Sequence, residues 1–275
     1  MRKLVAAAIA LAGVIAVGIY AVSQSRTAGT AAGYEIPTAS DGELSSAARS
    51  KVFFAHQSVG FNILDGMDRL YGSRAIGAPG IHEGLAVEPG ITHVAIGENG
   101  DPLGKIQAFD QTIRGGVGDH VDVAILKLCY IDVHDGTDVD EIFVAYRDTY
   151  AALQRDYPGV VFIAATEPVT AERRIDQRIR AFLGREDGLG PEHNQARYRL
   201  NGLLRDEYGS TGRLLDVAAI QSTRPDGQRV GGGEGDAAYE AMYRGYASDP
   251  GHLNEAGSTV VAEAMVATIA HALGS

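Results

Sequence analysis

A chain of 275 residues with 45% apolar and 21% charged side chains is long enough to bury a large core without disulfides or a structural metal. Its formal net charge of −11 excludes the basic face that nucleic-acid binding demands and argues against an anionic membrane surface as partner. The single cysteine, Cys129, allows no intrachain disulfide and reads as a small buried hydrophobe in a strand.

The N-terminus reads as a targeting segment. Arg2 and Lys3 precede an unbroken apolar run from Leu4 to Val22, and Ala21 and Ser23 offer a signal-peptidase-like site. Residues 1–23 are therefore expected to be a cleaved signal peptide or an N-terminal membrane anchor. Either places the body outside the cytoplasm, secreted or held at the outer face of the cytoplasmic membrane. Residues 24–45, rich in Ser, Thr, Ala and Gly, read as a flexible linker, and residues 46–275 as one folded domain.

From about residue 50, short apolar runs alternate with longer helical patterns. The predicted strands are 51–57, 91–96, 121–130, 159–166 and 213–220. Their near-continuous apolar character, as in Val160-Val161-Phe162-Ile163-Ala164, is that of parallel strands covered on both faces. The predicted helices are 60–71, 103–114, 139–156, 192–208 and 254–273. Pro191 suits the start of the fourth. Asn254 suits the N-cap of the last, where Val261, Met265, Ile269 and Leu273 form one apolar stripe. This alternation predicts a three-layer α/β/α sandwich with a five-stranded, mainly parallel, flavodoxin-like sheet.

Two connections are long. Residues 168–190 carry Glu172, Arg173, Arg174, Arg178, Arg180, Arg185 and Glu186, and read as a solvated charged segment. Residues 221–248 contain Gly231-Gly232-Gly233-Glu234-Gly235 followed by Tyr239, Tyr243 and Tyr246. Without a following Lys-Ser/Thr the glycines are no phosphate loop; they read as a hinge or lid beside the next loop.

That next loop carries the strongest chemical signal. Asp249-Pro250-Gly251-His252 sets a carboxylate and an imidazole three residues apart before the last helix. Such a pair deprotonates a hydroxyl nucleophile when the imidazole accepts the proton and the carboxylate fixes its tautomer. A hydroxyl exists at Ser58, where Val52-Phe53-Phe54-Ala55-His56-Gln57-Ser58 runs from strand into turn. In doubly wound sheets ligands bind at the carboxyl ends of the strands. Ser58, Asn99-Gly100, Asp132 and His252 all map there. His56 falls on the opposite strand face from Gln57 and reads as a core histidine with one backbone hydrogen bond. Asp132-Val133-His134-Asp135 reads as a solvated turn, and no ligand spacing implies a metal.

Ser58 at the first strand–helix turn and Asp249-Pro250-Gly251-His252-Leu253-Asn254-Glu255-Ala256-Gly257 before the final helix resemble the SGNH (GDSL-like) hydrolase superfamily, as a divergent branch, over about residues 50–273. The resemblance implies Ser58 as nucleophile, His252 as base and then acid, and Asp249 as its orienting carboxylate. It also implies an oxyanion hole built from the nucleophile's own N–H, a glycine after the second strand, which Gly100 could match, and an asparagine after the third. Two positions depart from the pattern. His56-Gln57-Ser58 replaces Gly-Asp-Ser, and Cys129-Tyr130-Ile131-Asp132 replaces Gly-x-Asn-Asp, so the usual asparagine is missing. Asn99 and Gln57 are candidates for a replacement amide that spacing alone does not decide, and Tyr130 and Asp132 are further candidates for substrate contact.

The expected function is that of an exported serine esterase acting on a short acyl group, such as acetyl, of a carbohydrate or cell-envelope ester, without cofactor or metal. Two other readings fit the same residues. One is a non-catalytic carbohydrate- or envelope-binding protein that keeps the fold; the other is an acetyltransferase using the same triad.

Overall fold

The computed structural model describes residues 34–173 and 188–274. The expected export segment lies outside the described residues, as do Arg174, Arg178, Arg180, Arg185 and Glu186 of the charged connection.

In chain order the elements are α1 (Asp41–Ala47), β1 (Lys51–His56), α2 (Ser58–Arg74), β2 (Ile81–Glu83), β3 (Gly90–Ala95), α3 (Pro102–Arg114), β4 (Val123–Leu126), α4 (Val139–Asp156), β5 (Val161–Ala165), α5 (Pro191–Tyr208), β6 (Leu214–Leu215), α6 (Val217–Ser222), β7 (Gly231–Gly232), β8 (Tyr239–Glu240) and α7 (Glu255–Leu273). The main sheet runs β2-β3-β1-β4-β5-β6, and every neighbouring pair in it is parallel. Without its edge strand β2, this is the flavodoxin order, with the reversal between β1 and β4. That reversal opens a crevice at the carboxyl ends of those two strands.

The side-chain period of two sorts β1 between two cores. Val52 and Phe54 pack with α1, α2, α6 and α7. Phe53 and Ala55 pack on the other face with α3, α4 and α5. Helices therefore cover both faces, and the architecture is the expected three-layer sandwich.

The sheet has six strands rather than five. The added strand β2 is three residues long at an edge, with Ile81 exposed, so no apolar run announces it. The run 213–220 holds only a two-residue strand before turning into α6. There the Asp216 side chain accepts the Ala219 N–H and caps the new helix, and a short buried apolar run fits either state.

The expected linker is partly folded. Ser40 caps α1 in a reciprocal capping box with Glu43, Leu44 is fully buried, and Tyr34 and Ile36 pack against the core. The glycine-rich stretch is a tight hairpin rather than a hinge. Gly231 and Gly232 pair antiparallel with Glu240 and Tyr239, and a Cβ at Gly231 would stand 2.2 Å from the Tyr239 carbonyl oxygen. Tyr243 and Tyr246 pack edge to face on each other. The last helix begins at its Asn254 cap. It is long and apolar enough to cross a membrane, yet 61% of that stretch is buried inside the body. It packs on α1, α2 and α6 as a core helix.

Candidate active site

β1 ends at His56, and Gln57 in extended conformation leads into Ser58, the first residue of α2. A first-turn N–H has no intrahelical acceptor. The Ser58 N–H therefore stays available at the positive end of the helix dipole. On the neighbouring strand β4 the chain continues through Cys129, whose Sγ lies 4.0 Å from Ser58 Oγ. The next residue, Tyr130, sets its ring edge-on to the His252 imidazole, with centroids 5.9 Å apart. Two consecutive residues thus touch the candidate nucleophile and the candidate base. Among the described residues no hydrogen bond joins Ser58 Oγ to His252, and Oγ has its contact with Cys129 Sγ.

The Asp249–His252 loop is internally fixed. Asp249 Oδ1 accepts the backbone N–H groups of Gly251 (2.8 Å) and His252 (2.9 Å). His252 Nδ1 lies 2.9 Å from Asp249 Oδ2. A carboxylate only accepts, so Nδ1 carries the proton and Nε2 keeps its lone pair free. Partial burial pushes the Asp249 carboxyl up. The N–H groups and the imidazole together outweigh that and hold it below the ordinary carboxylate range. The loop is tied to the helix of Ser58, since the Leu253 N–H donates to Asn62 Oδ1 at 3.2 Å. It is tied to the chain after β5 by the Ala171 N–H, which donates to the Pro250 carbonyl at 2.8 Å.

Three expected contact residues have other employment. Gln57 Nε2 donates to the carbonyls of Ile96 and Gly97, both at 2.8 Å, so neither amide hydrogen is left for a ligand. The Gly100 N–H donates to Asp132 Oδ1 at 2.8 Å and is likewise committed. Asp132 is not a solvated turn residue or a substrate contact. It is 2% exposed, it ion-pairs with the fully buried Lys105 at 2.7 Å, and its Oδ2 accepts the Cys129 N–H at 2.7 Å. It fastens the loop after β3 to the loop after β4. Asn99 is exposed, and its Oδ1 accepts from Lys105 Nζ at 3.0 Å. Ile131, where the sequence resemblance would place an asparagine, is an exposed apolar side chain.

A charged layer lies beneath the rim. Lys127 is buried, donates to the Leu128 carbonyl at 3.0 Å, and is pushed below the ordinary lysine range by burial. Burial pushes the Glu167 carboxyl well up, and both of its oxygens are buried without a hydrogen-bond partner. Arg197, fully buried, binds the carbonyls of Tyr130 (2.8 Å) and Gly188 (2.7 Å) and Asn194 Oδ1 (2.8 Å), and its guanidinium sits over the Tyr130 ring.

These residues escaped the sequence reading, although a signal existed. Lys105 shares one helical stripe with Phe109 and Ile113, and Lys127 interrupts an apolar strand run. His56 is the expected core histidine. It is fully buried, with Nδ1 2.9 Å from the Gln57 carbonyl, and a further ring contact joins its Nε2 to His93 Nδ1 at 3.1 Å.

No family model matches the chain, and no curated protein does. Among solved structures it is similar to a Streptococcus pneumoniae protein described as a platelet activating factor, at 16% identity, covering 82% of this chain and 90% of that one, with a TM-score of 0.49. It is similar to a protein described as lipolytic, of the G-D-S-L family, from Desulfitobacterium hafniense, at 9% identity, covering 80% and 99%, with a TM-score of 0.45. A third is the periplasmic domain of a lipopolysaccharide acetyltransferase from Salmonella ser. Paratyphi A, at 14% identity, covering 82% and 87%, with a TM-score of 0.45. The parallel sheet covered by helices on both faces is the three-layer α/β/α sandwich that the sequence led one to expect.

Proposed function

We propose that the protein is an exported serine esterase in which Ser58 is the nucleophile, His252 the base and Asp249 its orienting carboxylate. The observation that carries this reading is the Cys129-Tyr130 dipeptide, which meets Ser58 on one side and His252 on the other. The proton on His252 Nδ1 faces a carboxylate that stays ionised, so Nε2 is the basic nitrogen that the chemistry requires.

In the first step Ser58 Oγ bonds to the ester carbon, the carbonyl π pair moves onto oxygen, and the hydroxyl proton passes to His252 Nε2. Collapse breaks the bond to the alcohol oxygen, which leaves with that proton. Water repeats the sequence on the acyl-serine and frees the acid. The Ser58 N–H at the helix start supplies one donor to the oxyanion.

The proposed substrate is a short acyl ester, such as acetyl, on a carbohydrate or cell-envelope polymer. The apolar run Leu4–Val22 supports export, and the sequence resemblance supports the ester class. Ile131 in place of the usual amide favours one competing reading, a carbohydrate- or envelope-binding protein that keeps the fold without turnover.

A fluorophosphonate separates them. Ser58 should be covalently labelled, and Ser58→Ala should lose both labelling and p-nitrophenyl acetate hydrolysis while keeping its melting temperature. Wild-type protein that does not label, or unchanged turnover in Ser58→Ala, sinks the esterase reading. Acetyl transfer to an added glycan that outruns release to water would identify an acetyltransferase with the same triad.

A further inference from the structure

An oxyanion is held best by more than one donor, and the position where the sequence resemblance places a side-chain donor beside the Ser58 N–H holds Ile131. The other amide and N–H donors that the sequence placed at the rim are committed. The Gly100 N–H belongs to Asp132, and Gln57 spends its amide on Ile96 and Gly97. Asn62 lies four residues, about 6 Å, further along the helix from Ser58, where its oxygen holds Leu253.

Asn99 remains, and its orientation is chemically determined. Lys105 Nζ has three donors and no acceptor, so the atom of Asn99 that faces it at 3.0 Å must be the oxygen. The amide nitrogen then points the other way, away from the buried ammonium. Lys105 cannot wander, because both carboxylate oxygens of Asp132 hold it at 2.7 Å in a fully buried pair. Asp132 also grips Cys129, the neighbour of Ser58, while Gln57 ties the loop before Asn99 to the Ser58 turn. Asn99 is therefore carried on a loop braced against the nucleophile from two sides.

We propose that the Asn99 carboxamide is the second oxyanion donor of this site, with Nδ2 aimed by the buried Lys105–Asp132 pair. The proposal rests on the esterase reading above. The donor function has moved from the loop after β4 to the loop after β3, which lets an apolar residue stand at 131.

Two substitutions at one position test it. Asn99→Ala removes both the donor and the contact with Lys105. Asn99→Asp keeps an oxygen for Lys105 and the same shape, but replaces the donor with a second acceptor. Position 99 is exposed, so both variants should fold with an unchanged melting temperature. With p-nitrophenyl acetate, kcat should fall by about 10²–10³-fold in both, with KM within a few-fold, and fluorophosphonate labelling of Ser58 should slow in parallel. Asn99→Asp should be no better than Asn99→Ala, because it sets a carboxylate beside a developing negative charge. Wild-type turnover in Asn99→Asp, with or without a loss in Asn99→Ala, overturns the proposal and leaves Asn99 as a buttress for Lys105. Failure of the underlying esterase reading looks different: wild-type Ser58 would not label at all.

Discussion

Gly66 on α2 lies so close to Ser258 on α7 that a Cβ built at position 66 would stand 2.3 Å from the Ser258 carbonyl oxygen. The two helices make the most extensive helix–helix packing among the described residues. One begins at Ser58 and the other begins three residues after His252, at Glu255. Their backbone-to-backbone approach therefore sets the spacing between the candidate nucleophile and the candidate base. Gly66→Ala should push the helices apart, destabilise the fold by about 1–3 kcal/mol, and lower esterase kcat in the protein that remains folded. Urea unfolding together with turnover per folded molecule checks this; wild-type values for both would show that the contact does not set the spacing.

In the proposed triad Asp249 acts through His252 rather than on substrate. Asp249→Asn keeps the loop's shape but removes the acceptor that holds the proton on Nδ1. The expected result is a kcat loss of up to roughly 10⁴-fold with KM little changed. Because the Asp249 carboxyl is held below its ordinary range, it stays ionised under mildly acidic conditions and the acid limb of the pH–rate profile should not be its own. The acid limb should therefore vanish from the residual activity of His252→Ala, and a limb that persists there unchanged would contradict this assignment.

His56 predicts how the fold responds to acid. Burial lowers its pKa to about 3, against about 6.5 in an unfolded chain. Between those values the unfolded state binds a proton that the folded state refuses. Stability therefore falls as pH drops below 6.5 and continues to fall toward 3. Urea midpoints measured at pH 7 and pH 5 should fall less in His56→Gln than in the wild-type protein. Equal slopes would show that His56 accepts its proton in place.

The layers, the parallel sheet and most helix boundaries were legible because long apolar runs and capping residues act locally. Asn254, Pro191 and the Val160–Ala164 run each declare their element without outside help. What escaped was set by pairing across the fold. The strand at 81–83 exists only because β3 offers it an edge, and the Val217–Ser222 helix forms because Asp216 caps it. The tether reading failed where Leu44 and Tyr34 found a surface to cover. Within the site, residue types and spacing pointed to the Asp249-His252 loop. They could not reveal that Gly100, Gln57 and Asp132 are already bonded to one another's loops, since that depends on which loops meet in space.

The guanidinium of Arg197 reaches three stretches set apart in the chain, at the Tyr130 carbonyl after β4, the Thr170 hydroxyl after β5 and the Gly188 carbonyl before α5. With one planar fork holding all three, the chain after β4 and the chain after β5 part only by breaking contacts to a buried charge. For the proposed esterase this favours an opening shaped before the substrate arrives, which lowers the ordering cost of binding.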